Sequence, residues 1–167
     1  FETESGAVTL STADGTVLVA GDRSYAMTTA TQSGAPFLKV SLEGQDITAS
    51  IGSGKLGGLL NVRDRIIPEY LGSLDDMAAA LIERVNTQHV LGSDLSGTAG
   101  GEFFLPFSPV VAGSNTGAAR AISVAIADPA KIAAAGSGDG PGGNVNARLL
   151  AAVQNEKLLD GASTLVR

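Results

Sequence analysis

A chain of 167 residues clears the floor of roughly 40 residues below which a core needs metal or disulfide staples, and lies near the ~150-residue prior for one domain. Apolar residues make up 44% and aromatics only 4%, so Ala, Val, Leu and Ile must build the core with five Phe as its largest side chains. The net charge is -6 and the eleven Lys and Arg are scattered singly, which excludes a patch able to neutralise a run of phosphates and with it nucleic acid as a partner.

No apolar run approaches the ~18 residues that cross a bilayer, so no membrane insertion is expected. There is no cysteine, which excludes disulfides and thiol-ligated zinc. The chain opens at Phe1 without a Met and stops at Arg167 in mid-pattern, and reads as a piece of something longer.

From Ala7 to Leu42 the pattern alternates over short stretches. Val8 and Leu10 precede a turn at Ala13-Asp14-Gly15, Val17 and Val19 follow it, and Phe37, Leu38, Val40 and Leu42 come later. Asp-Gly between β-prone runs predicts a hairpin, because Gly accepts the positive φ of tight turns. Three or four antiparallel strands are expected, with the polar stretch Thr28 to Gln32 as an exposed one.

Between Lys55 and Leu91 the period changes. Ile67, Leu71, Leu74, Ala78, Leu81 and Val85 recur at spacings of four and three, one stripe of a helix. Glu69, Asp75, Asp76, Glu83 and Arg84 occupy its other faces. Pro68 has no amide donor and crowds the preceding turn, so it predicts a kink, or a second helix beginning after a first from Leu56 to Ile67. A Leu stripe is stable only when covered, each Leu contributing roughly 1.5 to 3 kcal/mol when fully buried, so the strands and later helices are expected to cover it.

Gly92 to Gly101 reads as a loop, followed by the apolar run Phe103-Phe104-Leu105-Pro106-Phe107. Ile122, Val124 and Ile126 alternate with smaller residues and predict a strand. Asp128-Pro129 signals the cap of a short helix over Ala130 to Ala135, and Gly136 to Gly143 a Gly-rich loop. Asn144 or Asn146 is placed to cap a last helix carrying Leu149, Leu150, Val153 and Leu158.

Candidate chemistry is thin. Gly52, Gly54 and Gly57 have the glycine spacing of a dinucleotide-binding turn, with Asp75 near the offset of a ribose carboxylate. But Gln45 to Ser50 is polar where a buried parallel strand is required, so the plainer reading is close backbone approach at Gly57 and Gly58. Gly54-Lys55 resembles the end of a phosphate loop, yet Ala49 stands at its first Gly and Leu56 at its magnesium-binding hydroxyl. Asp94 to Leu105 fails as a calcium loop, with Ala99 where Gly is needed and Leu105 where the closing Glu belongs.

His89 is the sole histidine. No carboxylate lies one helical turn from it, so a hydrogen bond near a helix C-terminus, where a protonated ring is also favoured, is expected of it. The serines have no nucleophile-elbow pattern with that His. Asp75 and Asp76 diverge by about 100° on a helix and are read as a solvated face, not an acid/base pair. No catalytic, cofactor-binding or metal residue is assigned.

Two stretches together carry a resemblance: Gly54-Lys-Leu56-Gly-Gly58-Leu59-Leu60-Asn-Val-Arg63-Asp64, and Asn86-Thr-Gln88-His89-Val-Leu-Gly92-Ser-Asp94-Leu95-Ser-Gly97-Thr-Ala-Gly100-Gly-Glu-Phe103-Phe104. With a long helix between them, and with Asp128-Pro129-Ala-Lys-Ile132-Ala-Ala-Ala135, a Gly-rich loop and Asn144 to Gln154 in that order, the chain resembles the central region of the flagellar hook-filament junction proteins, the hook-associated protein 1 family. The resemblance runs from about Ile51 to Gln154.

It implies a structural, extracellular component of the bacterial flagellum, exported through the flagellar channel and assembled as a ring between hook and filament. The implied partners are hook protein, the second hook-filament junction protein, and an export chaperone acting through a C-terminal region outside this chain. Between Phe107 and Ile122 the chain has a short connection where some members of that family carry a further outer domain.

The expected fold is α+β: antiparallel strands and hairpins packed with one long helix and two shorter ones. Segments 1–50, 51–105 and 106–167 are read as one compact domain or two packed lobes, monomeric as a fragment. Rival readings are another axial protein of hook-protein or flagellin type, a nucleotide-binding enzyme using the Gly52 to Gly57 turn, and a cell-surface adhesin domain.

Overall fold

The computed structural model describes residues 8–12, 14–31, 37–159 and 163–164. Ala7, Ala13 and Gln32, which the expected strands and turn include, lie outside them. The chain divides into two compact units, Phe1–Pro68 and Glu69–Arg167. The α+β class is as expected: short antiparallel sheets and a helical run of 36 residues.

In the first unit β1 (Thr9–Ser11), β2 (Val17–Ala20) and β3 (Arg23–Ser24) form one antiparallel sheet in that order, with Leu10 opposite Val19. The β1–β2 turn is the hairpin that Asp14-Gly15 announces. Gly15 sits at φ +91°, and the Asp14 carboxylate accepts from the Thr12 hydroxyl, the Thr16 hydroxyl at 3.2 Å and the Thr16 amide at 3.4 Å. Its pKa is lowered to about 2, chiefly by the Ser50 hydroxyl and then by Thr12.

A second sheet has the order β4 (Met27–Ala30), β5 (Lys39–Leu42), β6 (Gln45–Asp46), with Met27 opposite Leu42 and Thr29 opposite Val40. All four residues of β4 are exposed, as its polar sequence predicts. Strand β5 is central to its sheet, and Ser41 is buried along with Val40 and Leu42. Phe37 and Leu38 precede β5 and are exposed. Val40, Leu42, Ile47 and Leu60 make the core of this unit, with Leu18, Tyr25 and Ile51 packed against it. Thr48 closes it from below: its hydroxyl accepts the Val40 amide at 2.9 Å, and its own amide donates to Asp46 at 2.8 Å.

Helix α1 (Gly54–Asn61) begins after an extended Ser53. A Cβ on Gly57 would lie 2.8 Å from the Gly52 carbonyl carbon and 2.9 Å from the Ile51 oxygen. The glycine spacing therefore lets the incoming loop lie on the first helical turn. Helical residues continue through a π-segment, Val62–Ile66, into α2 (Ile67–His89). The irregularity expected at Pro68 is thus a π-turn just ahead of it, where the hydrogen-bond ladder changes register, and not a break into two helices.

In the second unit the buried line of α2 is Ala78, Ile82, Asn86 and His89. The expected stripe is corrected in its first half: Ile67, Leu71 and Leu74 are about half exposed, at 47%, 56% and 47%. The buried line begins at Ala78, and the hydrogen bonds from the segments after α2 reach the helix from Asp75 onward. Ile122 to Ile126 gives a single bridge, Phe104 opposite Val124, flanked by Leu105 N–H to Ser123 O at 2.9 Å and Ala125 N–H to Phe103 O at 2.8 Å.

Four further corrections concern short elements. The Asp128-capped helix is one 3-10 turn, Pro129–Lys131, because Ile132 is extended and Ala135 is drawn into a strand. Strand β7 (Gly92–Ser93), inside the expected loop, pairs with β8 (Ala135–Gly136). Asn144 stands before a helix over Val145–Ala152 without a side-chain cap bond. Val153 lies in a following 3-10 turn, and Leu158 belongs to β9 (Lys157–Leu159), paired with β10 (Ser163–Thr164), not to the helix. The two shorter helices, numbered in chain order, are α3 (Ala118–Ala121) and α4 (Val145–Ala152).

The β5–β6 turn yields a prediction. Glu43 and Gly44 both have positive φ, +48° and +84°, the two-residue hairpin pattern that favours Asn-Gly and costs other L-residues about 1 to 2 kcal/mol. Glu43→Asn is expected to raise stability by about 0.5 to 1 kcal/mol, read as a higher urea midpoint with unchanged slope.

Candidate functional site

The second unit contains few large buried apolar side chains. Its buried apolar residues are Ala78, Ile82, Ala118, Ala133, Ala135 and Val153, alongside the polar Asn86, Gln88, His89, Ser93, Asp94 and Asn146. A buried polar group costs free energy unless it is hydrogen-bonded. Among the described residues no buried side-chain nitrogen or oxygen lacks a partner.

The last turns of α2 supply the donors and acceptors. Asn86 Oδ1 accepts the amides of Phe103 at 2.9 Å and Phe104 at 2.8 Å, and its Nδ2 donates to Phe104 O at 2.9 Å. Three residues on, the fully buried His89 reaches the Gly101 carbonyl with Nδ1 at 2.7 Å and accepts the Ala133 amide on Nε2 at 2.9 Å. Gln88 donates to Asn146 Oδ1 at 2.8 Å, and Asn146 donates to Ala133 O at 2.7 Å. One helix end thereby fixes the 101–104 segment, the 133–135 segment and α4. The hydrogen bond expected of His89 near the helix C-terminus is present, with Nε2 accepting from the Ala133 amide.

Two glycines make room. A Cβ on Gly92 would lie 2.2 Å from Asn146 Nδ2 and 2.6 Å from Ala133 O, and one on Gly100 would lie 2.3 Å from His89 O. Asp94 organises the loop between them. Its Oδ1 accepts the Ser96 amide and hydroxyl and the Thr98 amide, at 2.9, 2.6 and 2.9 Å, and Oδ2 takes the Lys131 ammonium at 2.9 Å. The Ser96 hydroxyl, then Lys131, hold its carboxyl well below the usual carboxylate range. The position tried as a calcium ligand is filled by the chain's own donors.

Asp75 is corrected as well. Asp75 accepts the Gly117 and Ala119 amides, both at 2.9 Å, at the start of α3, and Asp76 accepts from Asn115 Nδ2 at 2.9 Å. Asp76 is exposed, as expected, whereas the half-buried Asp75 anchors the connection leading to Ile122. Arg84 grips Glu156 with both ends of its guanidinium, raising its own pKa and lowering that of Glu156.

In the first unit the end of the first motif plays a like part. Arg63 donates to Leu38 O at 2.8 Å, pairs with both oxygens of Asp64, and lies 5.2 Å from the centre of the Phe37 ring. In the first unit Gly52, Gly54 and Gly57 line one hollow with Asp64 and Arg65. No group of three His, Cys, Asp or Glu able to hold a metal occurs among the described residues. The side chains of this arrangement close backbone.

Asn86→Ala strands two amides and a carbonyl in a buried place and is expected to cost about 2 to 4 kcal/mol of stability, measured by urea unfolding. Asp94 carries a lowered folded pKa, so its contribution is present above the unfolded value near about 4 and is lost as pH falls toward the folded one. Unfolding stability of the wild type should accordingly drop more steeply below about pH 4 than that of Asp94→Asn.

Comparison with known proteins matches residues 1–104 to the family described as the flagellar hook-associated protein FlgK helical domain. The chain is 33% identical over 86 residues to flagellar hook-associated protein 1 of Salmonella typhimurium strain LT2, covering 50% of this chain and 16% of that protein. It is 38% identical over 61 residues to the protein of that name in Escherichia coli strain K12, covering 36% and 11%. Among solved structures, the flagellar hook junction protein FlgK from Burkholderia pseudomallei aligns with a TM-score of 0.47 and 28% identity over 60% of this chain and 22% of that one. The chain thus spans about a sixth of the length of the Salmonella relative. With well over half of its residues matched to the family model, it belongs to the flagellar hook-associated protein FlgK family.

Proposed function

We propose that the full-length protein is a structural element of the bacterial flagellum that joins hook to filament, and that this chain is a shape-holding part of it without catalytic residue, cofactor or metal. The match of residues 1–104 to the helical domain of the family carries this reading. The use of the motif side chains supports it. Asn86, His89, Asp94 and Asn146 are spent on backbone partners and neighbouring side chains, as a fold determinant requires and a reactive group does not.

The proposed partners are hook protein on one side and the second junction protein on the other, with neighbouring copies completing a ring. An export chaperone would act through a region outside this chain, and the working place is outside the cell. The bare half of the α2 stripe has a role in this reading: Ile67, Tyr70, Leu71 and Leu74 are about half exposed or more and offer a seat for helices from the rest of the full-length polypeptide, at the usual i, i+3, i+4, i+7 spacing. The fragment alone is expected to be monomeric.

The test is genetic. Deleting the gene in the source bacterium should leave hooks without filaments and release flagellin into the medium, and the full-length gene should restore filaments. The full-length gene carrying Leu71→Glu and Leu74→Glu should fail to restore them. Normal filaments in the deletion strain would refute the junction role, and full rescue by the double Glu variant would refute the proposed seat.

A further inference from the structure

Between Phe104 and Asn115 the chain runs past a stretch of α2 and is tied to that helix at both ends. Asn86 holds the amides of Phe103 and Phe104, Asp76 takes the Asn115 side chain, and Asp75 takes the Gly117 and Ala119 amides. Asp76 and Asn86 are about 15 Å apart along the helix, at ~1.5 Å per residue. Among the described residues no hydrogen bond joins 106–114 to α2. The segment therefore bows off the helix between two fixed points and leaves a groove of about 590 Å³.

The groove has an apolar lining and two acidic side chains. Ile82, Val90, Pro106, Phe107 and Pro109 line it together with Glu83 and Glu102. Ile82 is buried, whereas both glutamates are exposed. Pro106 and Pro109 have a fixed φ, which stiffens the outer wall and lowers the ordering cost of filling the groove. Beyond Pro109 the apolar surface continues in Val110, which is fully exposed, and in Val111 at 66%. Contiguous apolar surface left outside a unit's own packing marks a place where another chain is met.

Charge selects the occupant. Among the described residues neither Glu83 nor Glu102 has a hydrogen-bond or ion-pair partner, and no Lys or Arg lines the groove. Arg84 and Lys131, in the same unit, are committed to Glu156 and Asp94. An acidic segment is repelled from such a place, whereas an ammonium or guanidinium is attracted and lays its alkyl stem on the apolar lining.

We propose that this groove is a docking site for a short extended segment of a partner protein in which an Arg or Lys stands between apolar residues. The apolar side chains cover Phe107 and Val90, and the cation meets the carboxylates of Glu83 and Glu102. The volume falls within the roughly 300 to 1,000 Å³ of sites that enclose a small ligand, enough for a few side chains of such a segment. Tyr70, Leu71 and Leu74 precede this site on α2 and are not part of it.

The test selects random dodecapeptides displayed on phage against the 167-residue chain, then titrates the selected peptide, made synthetically, by fluorescence polarisation. Selected peptides are expected to carry Arg or Lys flanked by Leu, Ile, Val or Phe, and to bind less tightly as salt rises. Thr87→Trp places an indole in the groove from an exposed position of its helical wall. That variant should weaken binding about tenfold or more, as should Glu83→Lys combined with Glu102→Lys. A peptide whose basic residue is changed to Glu should regain about tenfold on the double Lys variant. All three positions are exposed, so the urea midpoint should hold in both variants. Peptides that bind both variants as they bind the wild type overturn the proposal, as does a selection that enriches acidic peptides, uncharged peptides or none.

Discussion

The second unit rests on one constraint: a helix end must satisfy backbone groups that no sheet or neighbouring helix satisfies. The segments at 101–104 and 133–135 have short β-pairings and many irregular turns, so amides such as Phe103, Phe104 and Ala133 would be buried without partners. Asn86 and His89 meet them from the helix. Leaving one such group unpaired costs about 1 to 3 kcal/mol, comparable with burying a whole Leu side chain. In a core with so few large apolar residues, these bonds decide which arrangement of the loops is stable.

The same logic explains what the two motif stretches do in the fold. The first sets Gly57 under the Ile51–Gly52 backbone and aims Arg63 at the Leu38 carbonyl. The second sets Gly92 and Gly100 where a Cβ would strike Asn146 or the His89 carbonyl. Residue types are restricted there by backbone closure.

Much of this was legible in the sequence, for stated reasons. The Asp14-Gly15 hairpin, the exposed Thr28–Ala30 strand and the long helix follow from turn chemistry and period, which are local. The bare half of the stripe was not, because a period shows which residues share a face but not what covers it. Asp75 capping α3 was hidden by the distance along the chain to Gly117. The clamp did leave a signal: Asn86 and His89 continue the line of Ala78 and Ile82, and polar residues on a buried line must be hydrogen-bonded. Reading the stripe through the Leu positions alone missed it. The helix expected over Ala130 to Ala135 failed because His89 and Asn146 hold Ala133 by its amide and its carbonyl, overriding the helix propensity of the alanines.

The central claim is that side chains of α2 hold the loops of the second unit in one cooperative structure. Native-state amide hydrogen exchange measures it most directly. The amides of Phe103, Phe104 and Ala133 should be among the slowest in residues 69–159, and should exchange with one common opening free energy that shifts together on adding urea. Fast exchange at these three amides beside a protected α2 would contradict the account, since the bonds from Asn86 and His89 would then contribute nothing to holding the unit closed.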